Sequence, residues 1–171
     1  MKRHLVLVGL PGSGKSTVGP LVAAQLGISF ADLDRDIERT EGMPVAEIFA
    51  RRGEPAFREL EREAMDVRLA GVPAVLAPGG GWAAQPGNLE AAEPRALLVY
   101  LACSPITAAG RLVGDRARPL LQGGEPGAVL ERLLVERQPF YRRAAVEVDA
   151  EAGSPELIAA GLVAAVARHG L

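Results

Sequence analysis

Residues 9–17 read Gly-Leu-Pro-Gly-Ser-Gly-Lys-Ser-Thr and follow directly on the apolar run His4-Leu5-Val6-Leu7-Val8. A G-x-x-x-x-G-K-[ST] loop works only between a strand and the helix it opens, so this stretch predicts a strand–turn–helix unit at the very start of the fold. The glycines, Gly12 and Gly14 among them, let the backbone curl until consecutive N–H groups from Ser13 to Thr17 face phosphate oxygens. The helix that follows adds the partial positive charge of its N-terminus. Lys15 is placed to reach the β- and γ-phosphates, and the Ser16 hydroxyl to ligate magnesium. The loop therefore predicts a nucleoside triphosphate and Mg2+ as cofactors. It does not name the reaction, because switch GTPases, transport ATPases and small-molecule kinases all carry it.

Working outward, strands are predicted at His4–Val8, Ser29–Asp32, Ala74–Ala77, Ala96–Leu101 and Ala145–Val148. Helices are predicted near Lys15–Leu26, Pro44–Ala70, Pro105–Val113, Gly127–Arg137 and Pro155–Arg168, with the segment near Trp82–Ala92 left unassigned. Short apolar strands alternating with helices indicate an α/β fold, a five-stranded parallel sheet flanked by helices on both faces. Right-handed crossovers bring the C-terminal ends of the strands to one edge, where ligands of such sheets bind. Pro20 predicts a bend inside the first helix, and Pro139 predicts that the Gly127 helix ends just before it.

With 171 residues, the chain fits a single domain over 1–171, large enough for a core without covalent staples. No continuous apolar stretch is long enough to cross a bilayer, which predicts no membrane partner. The first strand begins within a few residues of Met1, leaving no room for a leader, and Cys103 is the only cysteine. Both features point to the cytoplasm, with Cys103 as a small buried hydrophobe. The net charge of −2 argues against a nucleic-acid surface. No long apolar helix face is left unassigned, so a monomer is expected.

Five further motifs carry chemistry. Asp32 and Asp34 stand two apart at the end of the second strand, on one face. They suit either magnesium and hydroxyl chemistry beside a phosphate or, for Asp34, the cap of a helix before Ile37-Glu38. Arg58 and Glu61, three apart on a helix, form either a surface ion pair or a carboxylate-gripping fork steadied by the glutamate. Gly79-Gly80-Gly81 follows the third strand, where either a strained turn or a ligand pressed against the main chain asks for glycine. The arginine-bearing stretch Gly114–Gly124 is read as a disordered loop or as a lid over the phosphates. After the last strand, Asp149 and Pro155 bound a loop that could pack on a purine or simply lead into a helix with proline in its first turn.

Together these residues resemble the shikimate kinase family nearly end to end. The resemblance rests on Gly9–Thr17, Asp32-Leu33-Asp34, Ile37-Glu38, Gly42-Met43, Glu47-Ile48-Phe49, Gly53-Glu54, Phe57-Arg58 with Glu61, Gly79–Gly81, Arg118-Pro119-Leu120-Leu121, Arg137…Tyr141 and Val148-Asp149…Pro155. It implies ATP-dependent phosphorylation of the 3-hydroxyl of shikimate in a nucleoside-monophosphate-kinase-like fold, with a substrate subdomain about 33–61 and a mobile lid about 113–126. On that basis Asp34 would orient or deprotonate the hydroxyl, and Asp32 would hold magnesium through water. Arg58, seconded by Glu61, and Arg137 would grip the shikimate carboxylate. Gly79, Gly80 and Gly81 would meet the ring, and Phe49 and Phe57 would line the apolar side. Lys15 and Arg118 would serve the phosphates, with Arg111 and Pro155 bracketing adenine.

The chain departs from the family pattern at Pro20, Pro78 and Trp82. Trp82, the only tryptophan, is a candidate reporter of the substrate turn. Gluconate and nucleoside-monophosphate kinases share the loop but not the whole set of motifs. A GTP-dependent switch would carry Asn-Lys-x-Asp, which does not occur. A catalytically dead scaffold would not need Lys15 and Asp34 together with Arg58, Arg118 and Arg137.

Overall fold

The structure, a computed structural model, describes residues 3–113 and 125–170. Five parallel strands form one sheet in the order β2-β3-β1-β4-β5: β1 His4–Val8, β2 Ser29–Asp32, β3 Ala74–Ala77, β4 Ala96–Ala102 and β5 Val146–Asp149. All residues of β1 and β3 are buried, and all but the last of β4. Successive side chains point to opposite faces, so burial of every position means that both faces are covered. The helices are α1 Lys15–Leu26, α2 Leu33–Glu41, α3 Val45–Leu69, α4 Asn88–Ala92, α5 Pro105–Arg111, α6 Pro126–Tyr141 and α7 Pro155–Ala167. The unassigned segment holds a short 3-10 turn, Trp82–Ala84, and α4. The main core gathers Leu5, Leu7, Val75, Val99, Leu130 and Leu162 around the sheet, and a smaller cluster of Ile37, Val45, Ile48 and Phe57 joins α2 to α3.

Three expectations change. The chain from 44 to 70 is not one straight helix: Gly53 sits at φ 78°, ψ 172°, and Pro55 occupies the first turn of the segment after the break. Helix α6 does not stop before Pro139 but runs on to Tyr141. Proline leaves unpaired the carbonyl four residues back, here that of Val135, whose residue is exposed and whose carbonyl water can serve. The same reasoning covers Pro20, which lies inside a continuous α1 with exposed Ser16 four residues earlier. The third change is the helix cap after β2. Asp32, not Asp34, caps α2, its Oδ1 accepting from the N–H groups of Asp34 (3.1 Å) and Arg35 (3.4 Å).

Candidate active site

The phosphate loop is shaped by glycines that nothing else could replace. Gly12 and Gly14 lie at φ 81° and 97°, and a Cβ on Gly12 would stand 2.5 Å from the Ala108 carbonyl oxygen. Lys15 opens α1, largely buried, and its Nζ donates to the carbonyls of Gly9 and Leu10, each at 2.9 Å. The Ser16 Oγ donates to Asp32 Oδ2 at 2.5 Å, so one Asp32 oxygen caps α2 while the other turns to the loop. Gly12, Gly14, Lys15, Ser16, Thr17, Asp32 and Asp34 line a cavity of about 440 Å³, with Gly79 and Arg111 on its walls. Ser13 is not on that wall: it is fully buried, its N–H donated to the Leu10 carbonyl.

Arg111 ties the loop to the end of the sheet. Its Nη2 donates to the Ala150 carbonyl at 2.7 Å and its Nη1 to the Ser13 carbonyl at 3.4 Å. Pro155 opens α7 behind the Ser154 cap and does not line the cavity. Cys103 is buried, and that burial pushes its thiol up to about 11. The lid expected over 113–126 falls mainly on residues 114–124; with Arg118, it lies outside the described residues.

From the cavity a chain of contacts leads along the glycine triplet. None of Gly79, Gly80 and Gly81 has a positive φ, so the strained-turn reading does not hold. What requires glycine is crowding by side chains. A Cβ on Gly79 would stand 2.5 Å from Glu61 Oε1 and 3.4 Å from Asp34 Oδ1; on Gly80, 2.6 Å from Pro11; on Gly81, 2.6 Å from Arg58 Nη2. The Arg58–Glu61 pair is no surface pair either. The Glu61 side chain is 0% exposed and that of Arg58 11%, with Arg58 Nη1 donating to Glu61 Oε2 at 2.7 Å. Burial raises the Glu61 carboxyl, and the Arg58 charge opposes it. Burial works against the Arg58 charge, but Glu61 and Glu54 outweigh it and hold the guanidinium firmly protonated. Phe57, buried, lies under the Arg58 guanidinium (5.5 Å) and 4.7 Å from the half-buried Phe49 ring.

The far end is held by α6. Arg137 and Tyr141, four apart, share one face of that helix and are both buried. The Tyr141 Oη donates to the Gly80 carbonyl at 2.5 Å, and its ring stacks on Tyr100. Burial pushes the Tyr141 phenol up to about 12, while the Arg137 and Arg58 charges beside it act in the other direction. Arg137 Nη1 is buried and has no hydrogen-bond partner. Two guanidiniums thus converge on the glycine turn, one of them with a donor unmatched.

The sequence profile of shikimate kinases matches residues 11–167. The chain belongs to the shikimate kinase family. It is 44% identical over 156 residues to the shikimate kinase of Mycobacterium avium (strain 104), covering 91% of this chain and 88% of that one. The structure of the Acinetobacter baumannii shikimate kinase in complex with shikimate superimposes with a TM-score of 0.95 at 34% identity, over 99% of this chain and 95% of that one. A Sinorhizobium meliloti gluconokinase shares only the fold, at 23% identity and a TM-score of 0.59. Within the shikimate kinase framework, the described residues contain no cluster of three His, Cys, Asp or Glu side chains able to cage a metal. A magnesium ion fits here in another way. Ser16 Oγ and Asp32 Oδ2 meet on the cavity wall as hard oxygen donors, and magnesium keeps most of its waters and takes few protein ligands. Two contributors were given no role from the sequence: the Tyr141 hydroxyl and Glu54, each visible only as part of a motif.

Proposed function

We propose that this protein is a shikimate kinase in activity as well as in family, moving the γ-phosphoryl of ATP to the 3-hydroxyl of shikimate. The observation that carries this reading is the contact path from Lys15 and Asp34, through Gly79 and Glu61, to two convergent arginines. Phosphoryl transfer asks for alignment and charge neutralisation more than for covalent chemistry. Gly12, Gly14 and Thr17 would cradle the phosphates with Lys15, and Ser16 and Asp32 would hold magnesium, the latter through water. Magnesium when bound neutralises charge on the β- and γ-oxygens. Arg118 joins the phosphates in this reading on its motif alone, and Arg111, on the cavity wall, would flank adenine.

Asp34, adjoining both the phosphate loop and Gly79, is the group to take or orient the proton of the attacking hydroxyl. Arg58 and Arg137 would hold the substrate carboxylate at the other end of the ring, fixing which hydroxyl faces the phosphate. A neutral sugar would leave the buried Arg137 donor unmatched, which selects against it. The same reading has the protein act as a cytoplasmic monomer. Phosphorus NMR of the reaction mixture tests it: a new phosphomonoester coupled to the C3 proton of shikimate is expected. A resonance coupled at another position, or none, would overturn the assignment.

A further inference from the structure

Arg58 has five N–H donors, and the fork that a substrate carboxylate would use is already engaged. Its Nη1 faces Glu61, whereas Nε (3.1 Å) and Nη2 (2.8 Å) both donate to a single oxygen of Glu54, one helical turn back. The two acids differ in kind. The Glu61 side chain is 0% exposed and locked against the glycine turn, while that of Glu54 is 46% exposed. Glu54 also follows Gly53, the one residue of α3 outside helical geometry, so its backbone is attached at the break in the helix. A solvent-facing ion pair of this sort is weak and exchangeable, whereas Glu61 has nowhere to go.

We propose that Glu54 is a substrate-mimicking carboxylate that occupies the binding fork of Arg58 until an incoming carboxylate displaces it, and so sets the affinity threshold of the site. The inference rests on Arg58 being the carboxylate receptor of the proposed function. Glu61 orients Arg58; Glu54 competes for it. A strong carboxylate ligand repays the exchange because Arg137, with its unmatched buried donor, binds it as well. A ligand that reaches Arg58 alone gains little, since it only replaces one carboxylate by another.

Calorimetric titration of the full-length protein and its Glu54→Gln and Glu61→Gln variants with shikimate, and separately with the neutral carboxamide of shikimate, tests this. Glu54→Gln is expected to bind shikimate about two- to five-fold more tightly, the range of an exposed ion pair lost as a competitor, and to leave carboxamide binding unchanged. Glu61→Gln is expected to weaken shikimate. Unchanged or weaker shikimate binding by Glu54→Gln, with the wild type binding normally, would overturn the competitor role alone. A wild type that binds shikimate no better than its carboxamide would overturn the carboxylate-receptor reading, and the competitor role with it.

Discussion

At the scale of single residues, Asp34 and Asp32 illustrate how one short strand end divides its labour. Asp32 spends one oxygen on capping α2 and the other on Ser16, which leaves Asp34 to face the cavity from the first turn of the helix. Asp34→Asn is accordingly expected to lower kcat by about 10²- to 10⁴-fold, as loss of a general base does, with ATP binding retained in a nucleotide titration. A second residue acts far from the chemistry. His4, buried at the start of β1, accepts the Ala74 N–H at its Nδ1 (3.2 Å) and binds β1 to β3 in its neutral form. Burial lowers its pKa from the ordinary 6.5. Below that value the unfolded chain takes up the proton more readily than the native one, so stability falls as pH drops, and above it the contribution is fully present. Urea unfolding from pH 7.5 to 5.5 should show this loss, and His4→Asn, which keeps an acceptor without the titration, should show a shallower slope.

At the scale of elements, the glycine triplet between β3 and the 3-10 turn is the joint that brings α3 and α6 together. Arg58 presses on Gly81 and Tyr141 bonds to Gly80, so a methyl group at Gly81 moves a guanidinium rather than merely straining a turn, whereas one at Gly80 meets Pro11. Gly81→Ala should raise the KM for shikimate about tenfold or more while sparing that for ATP, because misplacement of about 1 Å can cost as much as a hundredfold. Tyr141→Phe leaves the Gly80 carbonyl buried without its donor and should cost about 1–3 kcal/mol of stability, read by urea unfolding. The strands were legible because apolar runs bounded by glycine and proline mark them, and four of the five begin where the pattern predicts. Helix α2 was not, since its nine residues carry little but charge around Leu33 and Ile37. The break at Gly53 and the passage of α6 through Pro139 depend on tertiary neighbours, which local preference does not encode. For the same reason the phosphate loop and Asp-x-Asp could be read from spacing, while the burial of Arg58 and Glu61, and the side chains crowding each glycine, could not.

At the scale of the whole molecule, β1 and β3 deliver the phosphate loop and the glycine turn to the same sheet edge. The small cluster of Ile37, Val45, Ile48 and Phe57 keeps α2 and α3 packed as a unit beside it. Ligands that bind this arrangement and not the unfolded chain must stabilise it. Shikimate at about 100 times its Kd should add about 2.7 kcal/mol and raise the Tm by about 5–10 °C, measured by calorimetry. Trp82, buried directly after Gly81, should report the same event as a change in emission. The central claim, that two arginines and Asp34 make this phosphate-loop fold a kinase for one carboxylated ring, is tested most directly by ADP release from magnesium and ATP with shikimate present or omitted. Strong stimulation by shikimate is expected, nearly abolished in Asp34→Asn; equal release with and without shikimate would overturn the assignment.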